Sequence, residues 1–225
     1  MAARFEPKKT ASDIWKSYIA EDYAIDQKYR YFYYHYDQVL NNTPFENLRD
    51  LVENIYTNRY LNPLSVARNR AFMECKGETG LVKQQEFYDK YVRRAKERVV
   101  VIISDAFRFE VGQTLLKRLM EDEKCTASMD AMQSVLPSYT RFGMSALLPH
   151  RKLSMSDDYS VLVDGKICEN LNSREQVLQS FVPNSRTVQF DDIKTMKVAE
   201  LKEIFSGQEV VYVYHNQIDA RGDKL

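Results

Sequence analysis

The run Val99-Val100-Val101-Ile102-Ile103-Ser104-Asp105 constrains this chain more than any other stretch: five β-branched residues in succession end on a hydroxyl and a carboxylate, and a helical pattern follows. Such a run without polar alternation reads as a strand covered on both faces, which a parallel sheet flanked by helices provides. In open sheets of that kind ligands bind beyond the carboxyl ends of the strands, so Asp105 lies where chemistry is expected.

The residues before this strand read as all-helical. Ser12 can cap a long amphipathic helix carrying Ile14, Trp15, Tyr18, Ile25, Tyr29, Phe32, Tyr36 and Leu40 at a spacing near 3.6. Thr43-Pro44-Phe45-Glu46 opens a second helix, Asn62-Pro63 is expected to break it, and a third runs from Leu64 to Glu74. Leu81 to Arg98 reads as a fourth. Residues 1–98 are therefore expected to form a helical region and 99–225 an α/β region.

From Val99 onward strands and helices alternate. A helix carrying Val111, Leu115, Leu116, Leu119 and Met120 follows the first strand, and a second strand is expected over Thr126 to Met132. The segment around Leu136 to Thr140 is a loop and Arg141 to Leu148 a short helix. Asp164-Gly165 between Val161-Leu162-Val163 and Lys166-Ile167-Cys168 signals a type I′ hairpin. Ser173-Arg174-Glu175-Gln176 reads as a capping box. Arg186 to Phe190 and Glu209 to Tyr214 are further strands, with a helix over Val198 to Ser206 between them.

The 225 residues carry 32 basic and 32 acidic side chains, so net charge does not argue for nucleic acid. Cys75, Cys125 and Cys168 are too far apart and too few for a disulfide framework or a cysteine zinc site, which fits a reducing cytoplasm. Neither a secretion signal nor a membrane span is visible, so no membrane partner is expected.

Three candidate strand ends carry chemistry: Asp105; Pro137-Ser138-Tyr139-Thr140-Arg141; and His215 through Asp223, with Asp219 between them. Parallel strands would bring these onto one edge. An acid, a hydroxyl at a helix start and a His/Asp cluster supply hard ligands and a nucleophile, and a divalent metal would lower the pKa of the Thr140 hydroxyl while backbone amides hold a phosphate. Simpler readings stand beside these. Asp105 and Thr140 suit helix caps, His215 a hydrogen-bonded structural histidine, and Asp219 to Asp223 a glycine-containing turn. Tyr29 to Tyr36 could stack nucleic-acid bases, although Tyr29, Phe32, Tyr33 and Tyr36 share one helical face as core or interface residues would.

Ile-Ser-Asp-Ala-Phe-Arg-Phe-Glu (103–110), Leu-Pro-Ser-Tyr-Thr-Arg-Phe-Gly-Met (136–144) and Tyr-Val-Tyr-His-Asn-Gln-Ile-Asp-Ala-Arg-Gly-Asp-Lys-Leu (212–225) resemble the PglZ branch of the alkaline phosphatase superfamily, found in bacterial BREX phage-defence systems. The resemblance implies an alkaline-phosphatase-like core with a mostly parallel sheet. It makes Asp105 a metal ligand and Thr140 the metal-bound nucleophile or phosphate-binding hydroxyl. Asp219 becomes a ligand of the second of two divalent ions, Zn, Mn or Mg, and Arg108 and Arg141 are candidate phosphate contacts. Asp223 stands where many relatives have histidine, and His215 lies upstream, so either completes the shell.

The Asp-His-Gly element that supplies further ligands in the superfamily has no counterpart here. The resemblance therefore implies the N-terminal part of a larger phosphatase-like domain, with an incompletely ligated site and little activity in this stretch alone. The implied function of the parent is metal-dependent hydrolysis of phosphate monoesters or diesters, nucleic acid included. The alternative is a non-catalytic phosphatase-like scaffold. Implied partners are other BREX components such as a DNA methyltransferase, with a homo-oligomer a further assembly.

Overall fold

The structure, a computed structural model, describes residues 10–222. Contacts divide it into two compact units, residues 1–81 with 108–131, and 82–107 with 132–225, so the chain crosses between them three times. In the first unit, α1 (Ala11–Ser17) passes through a π-type turn into α2 (Tyr23–Asp37). Its N-cap is Thr10, whose hydroxyl accepts the Asp13 N–H at 3.1 Å, two residues before the Ser12 expected from sequence.

α3 (Glu46–Tyr56) and α4 (Asn62–Glu74) also run together through a π-type turn. Pro63 therefore does not break the helix as expected. The turn widens just before it, with the Asn62 N–H reaching back five residues to the Thr57 carbonyl, which accommodates a residue that cannot donate. α5 (Phe109–Met120) belongs to this unit: Gln27 of α2 donates to Thr114 Oγ1 at 2.9 Å, and Arg30 of α2 pairs with the buried Glu110. The buried Asp26 carboxylate accepts both the Tyr18 and Tyr56 hydroxyls, at 2.6 and 2.8 Å. Tyr29 and Tyr33 donate to Glu53 of α3, so the shared face of the tyrosine run is an internal helix contact, while Tyr31 and Tyr34 are exposed.

The second unit begins where a fourth helix was expected. β1 (Val82–Lys83) pairs in parallel with β3 (Met132–Gln133), and irregular helical turns lead to β2 (Val99–Ser104). β3 is all that forms of the strand expected over Thr126 to Met132, and it lies in this separate two-stranded ladder. Then follow α6 (Thr140–Ala146), the antiparallel β4 (Leu153–Met155), β5 (Val161–Val163) and β6 (Lys166–Ile167), and α7 (Leu171–Phe181). Asp164 and Gly165 both have positive φ, 49° and 81°, as a type I′ turn demands. The α7 capping box is built one turn earlier than expected: Asn170 is the cap and Ser173 the returning partner.

β7 (Ser185–Gln189), α8 (Phe190–Ile193), α9 (Val198–Phe205), β8 (Val210–His215) and α10 (Gln217–Gly222) complete the unit. The main sheet is parallel, in the order β2-β8-β7. Val210, Tyr212 and Tyr214 of central β8 pack with Val101, Leu148, Val163, Leu178 and their neighbours on one face. Val211 and Val213 pack with Val188, Phe190, Ile193, Ile204 and Phe205 on the other. β2 lies at the sheet's edge, and only one of its faces is covered: Val100 and Ile102 remain 46% and 67% exposed, because α8 and α9 cover β7 and β8 instead. The strand covered on both faces is β8.

Candidate active site

Register decides which side chains meet at the carboxyl edge of the main sheet. β2 and β8 pair from Val99 opposite Val210 to Ser104 opposite His215, and the Asp105 N–H extends the ladder by donating to the His215 carbonyl at 3.0 Å. Asp105 and His215, distant in sequence, thus leave adjacent strands side by side. Ser104 Oγ lies 2.8 Å from His215 Nδ1, and the imidazole packs edge-on against Phe190 with 4.8 Å between ring centres.

Immediately after Asp105 the chain turns away through Ala106, a non-glycine residue at φ 58°, where its Cβ is crowded. The Ala106 N–H donates to Asp105 Oδ1 at 3.0 Å, which holds the carboxylate at the strand end and leaves lone pairs on both oxygens.

Thr140 approaches from another direction. It is the first residue of α6, one beyond the N-cap Tyr139. Its segment is held by Gln84: the Val135 N–H donates to Gln84 Oε1 at 3.1 Å, and Gln84 Nε2 donates to the Gly143 carbonyl at 3.0 Å. A cavity of about 290 Å³ results, lined among others by Ser104, Asp105, Ser138 and Thr140. The structure therefore brings Asp105 and Thr140 to one cavity, although the strand preceding Thr140 is not in the main sheet.

Asp219 lies in the first turn of α10, and Asp223 is outside the described residues. Arg141 lies 3.7 Å from Glu169 Oε2 and does not line the cavity. Arg108 caps α5 in the helical unit, where its carbonyl accepts the Val111 and Gly112 N–H groups. Among the described residues no three His, Cys, Asp or Glu side chains are grouped closely enough to hold a metal ion. The donor types present, carboxylate, imidazole and hydroxyl, are ones a divalent cation takes.

Asp191, on α8 beyond β7, is a further carboxylate at this edge. It accepts from Lys194 at 2.6 Å and Gln217 at 2.9 Å, and these bonds hold its pKa below the usual carboxylate range. Its signal in the sequence was the same as that of Asp105, an acid just past a β-run. Ser104 was visible as the polar end of the aliphatic run, whereas nothing local marks Gln84. No helix among the described residues is long and apolar enough to cross a membrane.

The family model of the BREX system PglZ alkaline phosphatase-like domain matches residues 85–225, a range that takes in Asp105, Thr140, His215, Asp219 and Asp223. The chain is 38% identical over 218 residues to the alkaline phosphatase-like protein PglZ of Bacillus cereus (strain H3081.97), covering 94% of this chain and 26% of that protein. It is 33% identical over 230 residues to the alkaline phosphatase-like protein BrxZ of Escherichia coli O9:H4 (strain HS), covering 95% of this chain and 26% of that protein. The chain thus spans about a quarter of the length of these curated relatives. No solved structure is a significant match.

Proposed function

Because this chain belongs to the BREX PglZ alkaline phosphatase-like family, we propose that it forms one side of a metal-dependent phosphoester hydrolase site whose nucleophile is the Thr140 hydroxyl. The observation that carries this reading is the shared cavity of Asp105 and Thr140 at the carboxyl edge of a parallel sheet. A threonine hydroxyl is a weak nucleophile by itself. A bound divalent cation would lower its pKa and screen the charge of the phosphoryl oxygens. Asp105, Thr140, His215, Asp219 and Asp223 are the residues of this chain that would hold such ions, Mg, Mn or Zn, and side chains from elsewhere in the longer protein would complete the shell. Asp105 and Thr140 line the 290 Å³ cavity in which such an ion would be held, and that cavity would accept the phosphoryl group of a monoester or diester. Arg108 and Arg141 carry no phosphate contact in this reading.

The second reading is a phosphatase-like scaffold that docks other BREX components, a DNA methyltransferase among them. The two separate in one experiment. In the full-length protein with Mn²⁺ or Mg²⁺, hydrolysis of p-nitrophenyl phosphate and its diester is expected to fall roughly 10³-fold or more in Thr140→Ala and Asp105→Ala. Unchanged hydrolysis in both variants overturns the nucleophile assignment, and no hydrolysis in the wild type leaves the scaffold. The 225-residue piece alone is expected to turn over little.

A further inference from the structure

The two edges of the main sheet are finished differently. Along a strand, the N–H and C=O groups of alternate residues face opposite neighbours. At the β7 edge the outward groups are capped by α7: the Thr187 N–H donates to Glu175 Oε2 at 2.7 Å, and the Ser185 carbonyl accepts from Gln179 Nε2 at 3.1 Å. That edge is closed by the chain itself.

β2 forms the opposite edge and has no such cap. The Val99 N–H donates to the Glu209 carbonyl at 2.9 Å and the Asp105 N–H to the His215 carbonyl at 3.0 Å, so the odd-numbered residues of β2 serve β8. The N–H and C=O groups of Val100, Ile102 and Ser104 therefore face away from β8, and among the described residues none of these three N–H groups has a hydrogen bond. Natural sheets blunt such an edge with lysine, proline or other charges, and Val99–Ser104 carries none of them. Val100 and Ile102 leave one face bare as well, although parallel sheets are normally covered on both.

We propose that the open edge of β2 receives a further parallel strand from the same longer polypeptide, of whose relatives this chain spans about a quarter. Its backbone pairs with Val100, Ile102 and Ser104, and the layer that covers the enlarged sheet closes over the bare face. A tethered segment reaches an effective concentration in the millimolar range when its link is short and flexible, which a separate molecule does not match. A second copy would pair β2 with β2 about a two-fold axis, and that pairing is antiparallel, unlike the others in this sheet. The incoming strand ends beside Asp105, on the side away from His215. That its last residues serve the candidate site rests on the hydrolase reading above, whereas the strand itself does not.

The full-length protein tests this without a variant. Its structure by cryo-electron microscopy is expected to show a fourth strand running parallel beside Val99–Ser104, drawn from outside the 225 residues of this chain. In residue-resolved hydrogen exchange on the same protein, the amides of Val100, Ile102 and Ser104 are expected to be slowed about 100-fold or more relative to an open amide, as those of Val101 and Ile103 are. Even-numbered amides that exchange freely beside protected odd-numbered ones overturn the proposal. So does a solvent-facing edge, a cap of side chains like that on β7, or a strand that is antiparallel or belongs to a second copy. A fourth strand in a protein that hydrolyses no phosphoester supports the docking edge and removes the hydrolase reading instead.

Discussion

Replacing Gln84 by methionine tests how Thr140 is held. The Gln84 side chain bridges residues 135 and 143, the two flanks of the segment that carries Ser138 and Thr140. Each end serves a backbone group with no helical partner. The Val135 N–H belongs to a residue that is 8% exposed, and the Gly143 carbonyl is in the last turn of α6, where the Leu147 N–H bonds Met144 instead. Methionine matches glutamine in length but supplies neither a strong acceptor nor a donor. A buried backbone group left without a partner costs about 1–3 kcal/mol, so two of them, one partly reached by water, place the loss at about 2–4 kcal/mol. The single tryptophan, Trp15, reports on the helical unit, so the assay must be local. Hydrogen exchange of peptides covering residues 132–147 is expected to accelerate by about 30- to 700-fold in Gln84→Met, since each 1.4 kcal/mol is tenfold. Exchange within about threefold of the wild type there would refute the clamp.

Glu53 is held below the usual carboxylate range by the hydroxyls of Tyr29 and then Tyr33. A depressed folded pKa adds stability that is complete above the unfolded value of 4.5 and is lost as pH falls through the folded one. Glu53→Gln is therefore expected to flatten the acid limb of unfolding below about pH 4.5, followed by Trp15 fluorescence, and an unaltered limb would count against the bonds. Burial pushes the Cys168 thiol up and encloses it completely, while Cys75 and Cys125 are partly accessible. With a chromogenic disulfide at neutral pH, Cys168 is expected to react only after denaturant unfolding, and its native titration at the rate of the other two would contradict the fold around β8.

What could be read from the sequence follows from how local its cause is. The Asp164-Gly165 turn was legible because two adjacent residues set it, and the helices around Ser173 and Val198 because their signals lie within a few positions, although the cap of the first is Asn170 and not Ser173. Pro63 misled because its cost is local but the remedy, a π-type turn over Thr57–Leu61, has no composition signal. Leu81 to Arg98 has helical propensity, yet Val82 and Lys83 gain a parallel partner in Met132 and Gln133, roughly fifty residues away, and that pairing overrides the local preference. The two apolar strands show the same limit from another side. Val99 to Ile103 and Val210 to Tyr214 are equally apolar, but the sheet order gives one an open face and buries the other on both.

The site depends on those non-local choices even more than the fold does. Asp105 alone is an acid after a strand, a pattern that a helix cap satisfies as well as a ligand. It is brought beside His215 only because β2 pairs with β8 rather than with the strand that follows it in sequence, which sets Ser104 opposite His215 across 111 residues. A one-residue slip in that pairing would turn the Ser104 hydroxyl to the other face of the sheet and leave His215 Nδ1 without its partner. The register is pinned by burial. β8 places Tyr212 and Tyr214 on one face and Val211 and Val213 on the other, each in its own cluster, so a slip would exchange tyrosines for valines in both cores and unpair the Tyr212 hydroxyl from the Leu147 carbonyl at 2.8 Å. The apolar residues of the central strand thereby fix the geometry of the polar residues at its end.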